Sequence, residues 1–243
     1  MVGLLHFTIG ALLLMLVAVF VNPRKSDPLQ RLFARNILRM AGARLQVRAS
    51  RGFDPHRTSV FISNHVNLFD PFVLYSAIPQ FVRGWELESH FKIPIYGWMM
   101  QRFGNVPVAD QKTTGSIRRL FQQTQKTLQD GVSLIVFPEG SRTLDGRVQP
   151  FQKGIFRLVR DLDVPIVPVS MVGSFEFNRK GSYMLLPSTI VVHLHDTIET
   201  KGLNEPEREA LLERVQRTVA GPVDAAFGTP AQPAVATSSV SQD

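Results

Sequence analysis

The chain has no cysteine among its 243 residues. That excludes disulfides, thiolate-ligated zinc, iron–sulfur clusters and any thiol nucleophile, and it suits a reducing compartment. Charged residues are sparse at 19%, against 44% hydrophobic, which excludes wholesale disorder. No G-x-S-x-G elbow occurs to raise a strained serine nucleophile, and no internal repeat is visible. What is present is a body long enough for one sizeable α/β domain or two small ones. It carries a basic excess of +7, from 27 Lys and Arg against 20 Asp and Glu. Such a balance favours polyanionic partners: nucleic acid, an anionic membrane surface or phosphorylated substrates. No nucleic-acid module and no interleaving of basic and aromatic residues is found, so nucleic acid is not expected as a partner.

The longest apolar run is VGLLHFTIGALLLMLVAVFV, residues 2–21, with His6 and Thr8 its only polar members. Twenty helical residues reach roughly 30 Å, about a bilayer's hydrocarbon thickness. No Lys or Arg precedes the run, whereas Arg24, Lys25, Arg31 and Arg35 follow it. This predicts a membrane helix, either spanning the bilayer or lying in one leaflet, with the rest of the chain on the cytoplasmic face of an inner or plasma membrane. A cleaved signal peptide fits less well, for want of a charged leader and a small-residue cleavage site. A buried core helix is the other alternative. Residues 27–44 predict a basic amphipathic helix, capped by Ser26 or Asp27 with Pro28 at its start. Arg31, Arg35 and Arg39 recur every four residues along one edge. They read either as a seat on anionic lipid or as an ordinary solvated face. Together, residues 1–44 form an expected membrane-anchoring segment.

From residue 45 to 220 short β-rich runs alternate with helical patterns. Strands are expected at Leu45–Ala49, Val60–Ser63, Val106–Val108, Ser133–Phe137, Ile166–Val172 and Ile190–Leu194. Helices are expected over Pro71–Ile78, Ile93–Phe103, Ser116–Leu128, Lys153–Leu162 and Glu205–Val219. The fold class is therefore a layered α/β domain, its largely parallel central sheet flanked by helices. Residues 221–243 predict a disordered tail.

Two strand ends carry unusual chemistry. After Val60–Ser63 come Asn64 and His65, and Asp70-Pro71 opens the next helix. A carboxylate on one imidazole nitrogen would fix the tautomer and free the other nitrogen as a base. With no protein nucleophile in view, such a base would activate a substrate hydroxyl or a water. The alternative is a helix-capping Asp beside an unrelated loop histidine. After Ser133–Phe137 comes Pro138-Glu139-Gly140-Ser141-Arg142. Gly140 permits close backbone approach, Ser141 offers a hydroxyl, and Arg142 offers a fork of donors for phosphate. Lys153 adds a cation at the start of a helix. The alternative there is a surface turn with a charged rim.

Taken together, these segments resemble the glycerolipid acyltransferase family of the 1-acylglycerol-3-phosphate (lysophosphatidic acid) acyltransferase type. Its N-H-x-x-x-x-D motif is matched by Asn64, His65 and Asp70, and its F-P-E-G-[TS]-R motif by Phe137 through Arg142. Val167-Pro168-Val169 and Phe91-Lys92-Ile93-Pro94-Ile95-Tyr96-Gly97-Trp98 are similar to two further segments. The family's G-x-I-F-I-D-R segment is altered. Here it reads Gly104-Asn105-Val106-Pro107-Val108-Ala109-Asp110, with Asp110 where the acceptor-binding arginine is usual. Arg102, Lys112 or Arg118 would have to substitute for it.

The resemblance implies acyl transfer from acyl-CoA or acyl carrier protein to the sn-2 hydroxyl of 1-acylglycerol-3-phosphate, without metal or bound cofactor. His65 is implied as general base and Asp70 as its orienting partner. Asn64, Glu139, Gly140, Ser141, Arg142 and Lys153 are implied to bind substrate. Lys92 or an amide near Gly140 is implied to meet the oxyanion. Expected partners are the lipid bilayer, the thioester donor and a lysophospholipid. Alternatives are another lysolipid or an ornithine-type acceptor, a hydrolase using water, and a non-catalytic membrane-binding protein.

Overall fold

Short apolar runs without polar alternation belong in the middle of a parallel sheet, covered on both faces. In the computed structural model, which describes residues 2–109 and 113–228, three such runs make the sheet centre. They are β2 (Val60–Ser63), β5 (Ser133–Val136) and β6 (Ile166–Val172). On one side lie β3 (Val82–Leu87) and β4 (Val106–Val108), and on the other β7 (Ser188–Leu194) and β1 (Ala43–Ala49). The order is β1-β7-β6-β2-β5-β3-β4. β2 is parallel to β5, with Ile62 opposite Val136, and parallel to β6, with Ser63 opposite Val169. β7 is antiparallel to β6 and parallel to β1, so β7 and β1 run against the other five strands.

The helices are α1 (Val2–Phe20), α2 (Asp27–Met40), α3 (Asp70–Ala77), α4 (Tyr96–Phe103), α5 (Thr114–Gln129), α6 (Lys153–Arg160), α7 (Ser174–Phe177) and α8 (Glu205–Phe227). Alternate β2 side chains enter opposite layers, as the pleat requires. Val60 and Ile62 pack with Leu134, Val136, Phe156 and Val215, while Phe61 packs with Leu38, Leu74, Ile135 and Val167. After β5 the chain crosses to the far side of β2 to form β6. Strand order thus reverses around β2, which opens a crevice at the carboxyl ends of these strands.

Three expectations need correction. First, the reading of residues 2–21 as a membrane-crossing helix is not met. Among the described residues no helix is long and apolar enough to cross a membrane. Helix α1 has 19 residues, a rise of about 28 Å. It is partly committed to the protein, with Leu14 and Ala18 buried and Gly10 against the Phe33 ring of α2. Its other face exposes Ile9, Leu12, Leu13, Leu16 and Val19.

Second, of the arginines read as a stripe, Arg31 and Arg35 are engaged by the protein itself. Arg31 pairs with Asp27 at 2.6 Å and donates to the carbonyls of Tyr75, Ile78 and Gln80 at the end of α3. Arg35 reaches the Ser76 carbonyl at 3.3 Å. Arg24 donates to the Asp130 and Gly131 carbonyls past α5, at 2.9 and 2.8 Å. Helix ends offer unpaired carbonyls and a negative dipole end, which arginine satisfies. These residues dock the N-terminal hairpin onto the domain. Neither proposed cap of α2 acts as one, since Ser26 makes no capping bond and Asp27 serves Arg31 and the Tyr75 hydroxyl.

Third, the expected tail begins too early. Gly221-Pro222 reads as a stop signal, yet α8 continues to Phe227 and buries Val223. The rest of the tail, residues 229–243, lies outside the described residues, as do Asp110 and Lys112.

Candidate active site

His65 leaves the sheet two residues beyond the end of β2. Its Nδ1 lies 2.8 Å from Asp70 Oδ2. Asp70 is fully buried, and a buried carboxylate is tolerable only when its lone pairs are filled. They are filled here. Oδ2 also accepts the backbone N–H groups of Val66 at 2.5 Å and Asn67 at 2.9 Å, and Oδ1 accepts the Ser174 hydroxyl at 3.0 Å. Phe69, not Asp70, occupies the N-cap position of α3 and makes no side-chain cap bond. The carboxylate turns back to the 65–67 loop instead, which removes the reading of a cap beside an unrelated histidine.

The donors around Asp70 fix its role. Asn67 Nδ2 donates to the Ser174 carbonyl at 2.7 Å and to Ser174 Oγ at 3.0 Å. With one lone pair thus taken, the Ser174 hydroxyl points its proton at Asp70. An acceptor-only carboxylate requires Nδ1 of His65 to carry a proton. In the tautomer with that proton, Nε2 is the nitrogen that carries the lone pair. The Phe137 ring stacks on the imidazole, with centroids 4.1 Å apart and planes within 17°, and so fixes its tilt. Asn67 and Ser174 escaped the sequence reading. Asn67 is one of the unspecified positions inside the first motif, and Ser174 follows Gly173 at the end of β6. Gly173 itself has φ +85, and a Cβ there would fall 2.2 Å from the Thr189 carbonyl.

The second loop is fastened to the first. Glu139 is buried, and its two oxygens accept the backbone N–H of His65 at 2.8 Å and of Gln149 at 2.9 Å. The Thr143 N–H returns to the His65 carbonyl at 2.9 Å. Glu139 therefore spends its carboxylate on holding the His65 loop. Asn64 is placed similarly, its amide exchanging two hydrogen bonds with the Met171 backbone at 3.0 and 2.8 Å. Gly140 has φ +73 and faces Gln152, whose Nε2 would stand 1.9 Å from any Cβ. Its N–H is used by the Phe137 carbonyl at 3.2 Å.

Ser141 is exposed and Arg142 half-buried beside this loop, whereas Lys153 is exposed at the first position of α6. Lys92 is exposed at the end of the 3-10 turn Glu88–Lys92 after β3. Of the substitutes for the altered segment, Arg102 donates to the Val21 carbonyl at 3.2 Å, and Arg118 is exposed on α5.

Burial pushes the Glu139 carboxyl up to about 7, beyond what the N–H groups of Gln149 and His65 offset; the nearby Asp70 and Asp145 charges add to the rise. Raised above its ordinary 4.5, this group binds its proton more tightly in the folded chain than in the unfolded one. Its contribution to stability is therefore complete at pH below 4.5 and fades as pH rises through about 7. Glu139→Gln should abolish that part of the pH slope. It should also cost about 1–3 kcal/mol, because an amide sets its NH2 against one of the two backbone donors. Denaturant titrations on either side of that pH window test both effects. An unchanged slope would show that Glu139 does not titrate there.

At the carboxyl ends of the strands a buried aspartate is hydrogen-bonded to a histidine beside an arginine-bearing loop, an arrangement able to accept a proton from a hydroxyl or a water. The acyltransferase family profile matches residues 44–172, more than half of the chain, and the chain belongs to that family. It is 27% identical to 1-acyl-sn-glycerol-3-phosphate acyltransferase beta of Homo sapiens over 188 residues, 77% of this chain and 67% of that protein. It is 32% identical to 1-acyl-sn-glycerol-3-phosphate acyltransferase BAT2, chloroplastic, of Brassica napus over 127 residues. That match takes in 52% of this chain and spans only 36% of the Brassica protein. The fold matches the crystal structure of the 1-acyl-sn-glycerophosphate (LPA) acyltransferase PlsC from Thermotoga maritima. The TM-score is 0.76 at 21% identity, covering 95% of this chain and 97% of that one.

Proposed function

We propose that the chain transfers a fatty acyl group from an acyl thioester, acyl-CoA or acyl carrier protein, to the sn-2 hydroxyl of 1-acylglycerol-3-phosphate, giving phosphatidic acid. The observation that supports this is the His65 Nδ1–Asp70 contact of 2.8 Å, with Nε2 assigned as the base. Nε2 takes the hydroxyl proton as the oxygen attacks the thioester carbonyl. Asp70 supports the imidazolium so formed. When the tetrahedral intermediate collapses, the C–S bond breaks and the proton passes to the departing thiolate. The amides of Ser141 and Arg142, or Lys92, would meet the oxyanion, and each good donor could be worth roughly 3 kcal/mol. Neither a metal nor a bound cofactor enters these steps.

Arg142 is assigned to the acceptor phosphate, with Ser141 and Lys153 beside it. Arg142→Ala should raise the acceptor KM by about tenfold or more, the loss of one charge-assisted contact, and leave the donor KM unchanged. A change in donor KM alone would refute the assignment. The lipid acceptor also gives the exposed face of α1 a purpose. It would seat the enzyme in one leaflet on the cytoplasmic face, where thioester donors are made.

Ala109 and Asp110 favour a second reading, in which the acceptor is another lysolipid or an ornithine-type lipid. A panel of lysolipids with labelled acyl-CoA and acyl carrier protein tests both readings. Phosphatidic acid as main product supports the first. Acylation of a different lysolipid moves the acceptor, and free fatty acid alone favours a hydrolase. No turnover by folded protein returns a membrane-binding role without catalysis.

A further inference from the structure

The loop between α7 and β7 is built to hold apolar side chains away from the protein. Asn178 Nδ2 ties the carbonyls of Ser182 and Met184, at 3.1 and 3.0 Å. The Ser182 N–H closes a turn on the Arg179 carbonyl at 3.0 Å, with Gly181 at φ +83. The Leu186 N–H returns to the Phe177 carbonyl at 2.9 Å, and Pro187 rests on Gly42. On this frame Tyr183 is wholly exposed, Met184 is 69% exposed, and Leu185 and Leu186 are also open to solvent. Four consecutive large apolar residues in water form a patch that wants a partner.

The loop's position says which partner. It joins the carboxyl end of β6 to the start of β7, which runs the opposite way, so it stands at the same end of the sheet as His65. Other exposed apolar residues gather at that end: Leu68 after β2, Ile95 and Trp98 after β3, and Leu144 after β5. Helix α2 also ends there, leading into β1. The middle of α1 packs on the middle of α2, where Gly10 meets the Phe33 ring. The root of the loop is basic. Arg179 lies over the Phe175 ring at 5.1 Å, and Lys180 Nζ donates to the Arg142 carbonyl at 3.2 Å. An amphipathic tyrosine with apolar neighbours above two cations matches the headgroup–acyl boundary of an anionic bilayer.

We propose that Arg179–Leu186 is a second membrane contact, separate from α1. Tyr183 and Met184 enter the boundary of an anionic leaflet, and Arg179 and Lys180 meet its headgroups. Two weak anchors on one rigid body give stable attachment where one is marginal. The arrangement sets the mouth beside Arg142 against the surface from which a lipid acceptor would arrive, and so rests on the function proposed above.

The test uses the full chain with vesicles of phosphatidylcholine and phosphatidylglycerol. Y183S/M184S should weaken vesicle partitioning by roughly tenfold or more, from the apolar area no longer transferred. R179Q/K180Q should flatten the dependence of partitioning on ionic strength. A tryptophan at the tip, Tyr183→Trp, should be quenched by lipids brominated near the headgroup, relative to the parent's Trp85 and Trp98. Turnover of a monomeric short-chain acceptor should be unchanged in Y183S/M184S, since no residue of the site is touched. Unaltered partitioning together with an unquenched tip overturns the proposal. So does a self-associated wild type that Y183S/M184S converts to monomer, which would assign the patch to a second copy. If the wild type transfers no acyl group to any acceptor, the catalytic reading fails, while quenching still reports on the loop.

Discussion

Replacing His65 by alanine is expected to lower kcat about 10³-fold, within the range of a single positioned general base. The fold should survive. Asp70 keeps its donors from Val66, Asn67 and Ser174, and the His65 backbone keeps its bonds to Glu139 and Thr143. The melting temperature should change little, and the KM for both substrates should stay near the wild-type value. The imidazole is used in the transition state rather than in ground-state binding. Steady-state kinetics on purified protein beside a thermal melt make the check. Wild-type kcat in the alanine variant would remove His65 from the chemistry.

Asp70→Asn should lose activity and stability together. The neutral amide cannot support an imidazolium, so kcat should fall about 10³-fold or more. The amide also has only one oxygen to offer. At full burial its NH2 must face at least one of the donors that the carboxylate now accepts, costing about 1–3 kcal/mol. From sequence, Asp70 pairs with His65 across a strand–loop–helix corner, and Asp70→Asn is expected to cost little folding. The four hydrogen bonds to its buried carboxylate change that expectation. Normal kcat in a destabilised Asp70→Asn protein would make Asp70 a purely structural residue.

The parts of the molecule legible in the sequence were those written in local pattern. Val60–Ser63, Ser133–Val136 and Ile166–Val172 are uninterrupted apolar runs, and they form the sheet centre. β3 was missed because Arg83, Gly84 and Glu86 break its apolar pattern. Arg83 is nonetheless buried, its charge spent on the Val82 and Phe103 carbonyls, Gln30 and the Tyr75 hydroxyl. The reversal of β1 and β7 leaves no local mark, since direction is set by pairing. In the site, His65 and Asp70 are five residues apart and could be paired from sequence. Ser174 lies 104 residues from Asp70, and nothing in its surroundings announces the contact. Glu139 and Asn64 sit at motif positions, and only the structure shows both spent on neighbouring backbone. Arg31 and Arg35 read as part of a stripe with Arg39, and Arg24 as a flanking charge, because helix ends that need cations cannot be located before the tertiary fold is known.

The most direct test of the central claim is a single-turnover experiment with labelled acyl thioester and stoichiometric enzyme, with and without lysophosphatidic acid. Direct attack by a His65-activated hydroxyl predicts that label reaches lipid only when acceptor is present. No label should stay covalently on the protein, and His65→Ala should transfer none on the same timescale. Label bound covalently to the wild-type chain, or transfer by His65→Ala at the wild-type rate, would contradict it.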